Sequence, residues 1–215
     1  MNFEELMIER HSVRDFKKDE IATETLKKIV KIAGNSPSWE NSQPWNVYIA
    51  VGDITDAIRE EWVSRHEKEI KGSPDMPTGH RTDFSKRGQE NMVSFLNDVC
   101  EYCEDRDMVL FKQTQAVLFN APVLVYLTLP KGYAKWSVYD LGGFGMALIL
   151  AAKEMGVDSI PAYEIVKYPD VIREYMDIPE DEDLIMGIAL GYEVCEKINE
   201  YRSPRLDVDE ILTIK

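Results

Sequence analysis

The sequence predicts an α+β fold, with a small mixed or antiparallel sheet at the centre and long helices around it. Three observations predict it. Strand-like runs are few, helical periodicities are long, and the two do not alternate in the β-α-β order of a doubly wound sheet. With 215 residues, 44% hydrophobic and 30% charged, the chain is long and apolar enough for one core. We therefore expect a single domain over residues 1–215, with a variable lid or insertion at about 54–114 and a C-terminal arm at about 199–215. No internal repeat or low-complexity segment argues otherwise.

The elements follow in order. Asn2 to Glu9 places Phe3, Leu6 and Met7 on one helical face. A break covers Arg10 to Phe16. A second helix is expected from an N-cap at Thr23, through Leu26, Ile29, Val30 and Ala33, to Gly34. Ser36 to Pro44 is dense in turn formers and reads as a loop. Asn46 to Val51 is a strand. From Ile54 to Thr114, charged helices flank a Pro/Gly-rich loop at Gly72 to Gly79. Val123 to Leu129 is apolar on both faces, as in a strand covered twice. Tyr139 to Met155 is a helix apolar almost all round, expected to be central, and Gly156 ends it. A short strand from Asp158 to Pro161, a helix from Tyr168 to Met176 and a strand from Asp183 to Tyr192 complete the core. Asn199 to Lys215 is polar with sparse apolar residues, an arm that packs on something else.

Net charge is −14, which argues against nucleic acid or an anionic membrane as partner. An anion site in such a chain must be built locally. The longest apolar run, Met146 to Ala152, is too short to span a bilayer. The first residues carry no basic or apolar signal region, so a cytoplasmic location is expected. The three cysteines, Cys100, Cys103 and Cys195, are too few and odd for a disulfide framework. Cys100 and Cys103 form a CxxC within an expected helix from Gly88 to Arg106, without the preceding strand of a redox motif. A zinc site needs four ligands, and only Cys195, His66 and His80 remain to complete it. No metal site is expected.

Several segments carry chemistry. In an extended Arg10-His11-Ser12-Val13-Arg14, residues 10, 12 and 14 share one side, two guanidinium groups flanking a hydroxyl. That suits a phosphate and its polyol, because arginine forms paired charge-assisted bonds to phosphate oxygens. The plainer reading pairs these arginines with Glu9, Asp15 and Asp19. Pro37 to Trp45 combines two fixed prolines, the amides and hydroxyls of Ser38, Asn41 and Gln43, and two tryptophans. It either reads the edge of a planar heterocycle or packs its tryptophans into the core. Asp140-Leu141-Gly142-Gly143-Phe144-Gly145 fails the dinucleotide fingerprint and suits close approach of a helix or flat ring. Ile160-Pro161-Ala162-Tyr163-Glu164 leaves a strand end open to a ligand or is a plain terminus. Arg202 and Arg205 lie in the arm, either closing over the phosphate of Arg10 or solvated. His11 is the one histidine near these motifs.

Taken together, these segments resemble the nitroreductase family of flavoproteins. The resemblance runs through Arg10 to Arg14, Ser36 to Trp45, Asn120-Ala121-Pro122-Val123, Asp140 to Ala152, Gly156 to Pro161, and Arg205. Residues 54–114 match poorly. It implies a nitroreductase-like FMN-binding fold, an intertwined homodimer with long helices at its interface, and FMN between the subunits. By position, Arg10, Ser12, Arg14 and Arg205 would hold the phosphate and ribityl chain, with His11 alongside. Pro37, Ser38, Trp39, Asn41 and Gln43 would reach the flavin from the second copy. Pro161, Ala162, Tyr163 and Glu164 would lie against the isoalloxazine, with a backbone N–H near N5. Many relatives carry glycine where Glu164 stands, and a carboxylate there repels reduced flavin unless it is turned away. The resemblance further implies ping-pong chemistry: NADH or NADPH delivers a hydride to flavin N5 and leaves, and a nitroaromatic, quinone or related flat acceptor takes two electrons. No side chain is nominated as catalytic, and the loop from Gly72 to Arg87 is expected to select the substrate. Two alternatives stay open: reductive dehalogenation or flavin fragmentation on the same fold, and a CxxC metal or thiol module.

Overall fold

The computed structural model describes residues 1–103 and 105–215, with side chains for all of these but 105–107. Four strands form one sheet in the order β1-β2-β4-β3, every neighbouring pair antiparallel. They are β1 (Asn46–Val51), β2 (Val123–Pro130), β3 (Asp158–Ala162) and β4 (Glu182–Gly191). The fold class expected from the sequence is the one observed.

The sheet is a middle layer because β2 is apolar on both sides. Val123, Val125, Leu127 and Leu129 face one cluster, while Leu124 and Tyr126 face the other. The first cluster is roofed by α2 (Thr23–Ala33) and α6 (Lys135–Glu154), through Leu26, Ile29, Ala33, Phe144 and Leu148. The second is roofed by α3 (Asp53–Glu67) and α7 (Pro169–Met176), through Ile58, Trp62, Val171 and Ile172. Gly187 allows the turn after β3 to lie on β4, since a Cβ there would stand 2.3 Å from Ile165 Cγ2. A satellite cluster of Val99, Cys103 and Tyr201 joins α4 (Lys86–Tyr102) and α5 (Asp105–Ala116) to the C-terminal arm. The arm carries α8 (Lys197–Glu200) and α9 (Val208–Ile211).

Most boundaries agree within a residue or two. The N-terminal helix α1 (Phe3–Glu9) starts with a reciprocal cap between Asn2 and Glu5. Thr23 is not the cap of α2: Ala22 holds that position without a side-chain bond. Gly34 closes α2, and Gly156 follows α6 at φ 74°. The CxxC stretch is helical to Tyr102, Cys103 caps it, and Glu104 lies outside the described residues.

Two expectations change. α6 begins at Lys135 rather than Tyr139, and it is not buried all round. Leu141, Phe144 and Leu148 enter the core, but Trp136 and Tyr139 are 57% and 75% exposed. The poorly matching stretch is also not uniform. Trp62 and Ile58 of α3 are fully buried, and Asp75 binds Arg173 at 2.7 Å and accepts the Leu184 N–H at 2.8 Å. Residues up to Met76 are thus fastened to the sheet layer. No helix among the described residues is long and apolar enough to cross a membrane.

Candidate functional site

The break after α1 is where the site begins. Ser12 makes a parallel bridge to Ser159, and the Val13 N–H donates to the Ser159 carbonyl at 3.1 Å. The Arg10–Arg14 segment therefore runs beside β3, whose far end is the Pro161–Glu164 turn. The arm closes the other side: Asn199 Oδ1 accepts the Arg14 N–H at 2.8 Å, and its Nδ2 donates to Asp15 O at 2.9 Å. Residues from both ends of the chain meet here.

Their charges confirm the meeting. Burial lowers the Arg10 pKa, and the nearby guanidinium groups of Arg205 and Arg202 lower it further. Like charges repel, so three cations in one place are held at a cost. Among the described residues none of the three is in a salt bridge. Arg205 Nη1 donates to Ser203 Oγ at 2.7 Å and Arg202 Nη1 to Asn199 O at 2.7 Å, neutral acceptors that leave the charge uncompensated. Arg10 Nε is buried without a hydrogen-bond partner, and so is the Tyr201 hydroxyl. The alternative reading, in which Arg10 and Arg14 balance local carboxylates, is not what the chain does: Asp15 is taken by Asn120 Nδ2 at 2.8 Å.

Arg14 is placed differently from Arg10. Its Nη1 donates to Ser12 O at 3.0 Å, and its guanidinium lies 5.2 Å from the Phe111 ring centroid. Burial lowers its pKa against the opposing pull of Tyr201 and Cys103. It braces the satellite cluster. His11 is 8% exposed and uses both ring nitrogens inside the chain, Nδ1 with Glu9 O and Nε2 with Glu193 Oε2, each at 3.0 Å.

At the other end of β3, Pro161 and Tyr163 are exposed and Ala162 is half-buried, facing Gly187 across the ladder. Glu164 is turned toward α3. Its Oε1 lies 2.6 Å from His66 Nε2 and accepts Lys167 Nζ at 3.2 Å, while its carbonyl accepts the Trp62 indole N–H at 3.1 Å. The repulsive carboxylate foreseen from the sequence is thus paired. His66 and Lys167 were not foreseen, because His66 is remote in sequence from the motif it serves.

The Pro37–Trp45 loop lies elsewhere. Trp39 donates its N–H to Asp140 Oδ2 at 3.0 Å and stacks on Trp136 at 5.1 Å. The Ser38 hydroxyl accepts the Gln43 N–H at 2.9 Å, which fixes the turn. Pro37, Trp39, Asn41 and Gln43 are exposed. Among the described residues no hydrogen bond or ion pair joins this loop to the arginines or to the Pro161 turn. Only Trp45 packs inward, on Phe144 at 4.8 Å. Cys100 is exposed and Cys103 buried, so the CxxC thiols face different surroundings.

Known proteins share this fold. Nitroreductase NfnB of Mycolicibacterium smegmatis is 30% identical over 213 residues, covering 96% of this chain and 90% of that one. The crystal structure of the FMN-dependent nitroreductase NfnB from Mycobacterium smegmatis in complex with NADPH superposes with a TM-score of 0.89 at 28% identity, over 99% of this chain and 97% of that one. An iodotyrosine deiodinase of Danio rerio is 24% identical over 99% of this chain and 66% of its own length. The nitroreductase family model matches residues 7–192, nearly the whole span from α1 to the last strand, and the chain belongs to that family.

Proposed function

We propose that the chain is an FMN-dependent oxidoreductase that takes two electrons from NADPH or NADH and passes them to a nitroaromatic or related flat electrophile. One observation carries the reading: in a chain of net charge −14, Arg10, Arg202 and Arg205 converge, and among the described residues none of them is in a salt bridge. A phosphate relieves that repulsion and satisfies the orphaned Arg10 Nε. The residues present therefore fit FMN. Arg10, Ser12 and Arg205 would hold its phosphate and ribityl chain, with Arg14 bracing the segment. Pro161 to Glu164 would lie along the ring, where the Glu164 charge is met by His66 and Lys167.

Bound there, the flavin supplies two-electron transfer between nicotinamide and acceptor. The chain's own residues bind, orient and shield. A second copy is part of the reading, because the ring needs two walls. The exposed apolar side chains Phe3, Ile8, Trp39, Trp136 and Tyr139 lie on α1, the Trp39 loop and α6, elements that contact one another, and make a face suited to burial against another chain. That would bring the Pro37–Gln43 loop of one protomer toward the flavin of its partner. NfnB, named for FMN and NADPH, supports the nitroreductase reading. The deiodinase relative favours a second one, reductive dehalogenation at the same site.

The test is direct. Purified protein is expected to be yellow and to lose its flavin absorbance when NADPH or NADH is added without oxygen. Colourless protein that takes up no added FMN overturns the reading. Product analysis with a nitroaromatic and a halophenol then separates nitro reduction from dehalogenation.

A further inference from the structure

Asn199 uses every hydrogen-bonding group it has, and two of its bonds join the two arginine-bearing ends of the chain. It is 3% exposed on α8, a helix too short to be stable on its own. Its Oδ1 accepts the Arg14 N–H at 2.8 Å. Its Nδ2 donates to Asp15 O at 2.9 Å and to Val194 O at 3.0 Å. Its own carbonyl accepts Arg202 Nη1 at 2.7 Å, and its N–H donates to Glu196 O at 2.9 Å. One N–H facing Oδ1 and two carbonyls facing Nδ2 allow only this orientation of the amide.

The consequence is geometric. The N-terminal segment is held against β3 by the Ser12–Ser159 bridge, but nothing in that bridge sets the position of the arm. The stretch before the arm is tied to the segment by the Val194 N–H to Asp15 O at 3.2 Å and by His11 to Glu193 at 3.0 Å. Within the arm Asn199 makes the hydrogen bonds to the segment, and from there three residues lead to Arg202 and three more to Arg205. Resting on the FMN reading above, we infer that Asn199 is the positioning residue of the anion site, fixing the arm's arginines opposite Arg10 without touching the ligand itself. Aspartate cannot replace it, because a carboxylate would face two carbonyl oxygens. Alanine would leave the Arg14 N–H unpaired and take one of two donors from each of the Asp15 and Val194 carbonyls, which keep the N–H groups of Val194 and Glu196.

The test compares FMN with riboflavin, which has the same ring and ribityl chain and no phosphate. Equilibrium binding of each is measured by quenching of flavin fluorescence. In Asn199→Ala the affinity for FMN is expected to fall about 10-fold while that for riboflavin changes less than about twofold. Equal loss for both flavins assigns Asn199 a merely structural role and overturns the inference; so does an unchanged preference for FMN. Should Asn199→Ala fail to fold, Asn199→Ser, which keeps one polar group, is read by the same ratio. Wild-type protein that binds neither flavin removes the functional reading itself. Wild-type protein whose FMN preference vanishes in Arg10→Ala but survives in Asn199→Ala overturns this inference alone.

Discussion

Two clusters of charge flank β3, and they are built on opposite plans. At the Ser12–Ser159 end, Arg10, Arg202 and Arg205 act on one another, and among the described residues none of them is in a salt bridge. Past Ala162, Glu164 is closed off by His66 and Lys167, within 2.6 and 3.2 Å. The second cluster is complete as it stands, tying the turn after β3 to α3. The first holds no such pair. The difference teaches where a ligand's charge is needed: the end that would meet the phosphate is unbalanced, and the end that would meet the ring is neutralised.

The largest effect is expected from breaking the proposed contact with a second copy. Gly143 lies on the exposed face of α6, and a Cβ there meets nothing within 4 Å. Within one chain Gly143→Leu is therefore harmless, and exchanging a helical glycine favours the helix by about 1 kcal/mol. Against a closely packed second copy the added side chain overpacks, at about 3 kcal/mol for each copy. The variant is expected to be folded, at least as heat-stable as a monomer, and free of both dimer and flavin. Sedimentation together with the flavin absorbance checks this. A yellow dimer would show that the α6 face is not the interface.

A smaller effect distinguishes the clusters from each other. On the proposed reading, Arg10→Ala would remove one charge-assisted bond to the phosphate, worth about 1.5–3 kcal/mol of FMN binding, or roughly 10- to 100-fold. Removing one of three repelling cations should leave thermal stability without flavin unchanged or higher. Titration with FMN and melting of the flavin-free protein together test the point. Lower apo stability with unchanged FMN affinity would make Arg10 a structural residue.

How much of this was legible beforehand depends on where the signal lay. The β1 strand was readable to the residue because Pro44 precedes it and Gly52 follows it at φ 55°. The start of α6 was not, since Ala134 caps it without a side-chain bond and offers no start signal. The arginine motif was visible as a type of chemistry. Alternation along an extended segment could not foresee that Arg14 would turn onto Phe111, because that choice is made by a cluster 97 positions away. Asn199 was one polar residue in a polar tail. Its role exists only after both chain ends have met. The sequence raised the question of a carboxylate at Glu164, and the structure pairs that carboxylate with His66, which no local pattern could supply.

The finest test concerns that answer. Burial pulls the Lys167 pKa down, but the charge and hydrogen bond of Glu164, followed by those of Tyr168, outweigh it, and the net shift is upward from 10.5. A cation whose pKa is raised on folding contributes stability that is fully present below its unfolded value and is lost as pH rises through the folded one. The pairing should therefore stabilise the protein at a constant level up to about pH 10 and fade above it. Glu164→Gln keeps the shape of the side chain and removes the charge, so the loss expected at neutral pH is about 1 kcal/mol. Denaturant titrations of wild type and variant at a series of pH values should give curves that lie apart at neutral pH and converge above the Lys167 transition. Curves that stay parallel into strong alkali would mean that Lys167 does not sense Glu164, and that the ring end of the site is not neutralised in the way its geometry indicates.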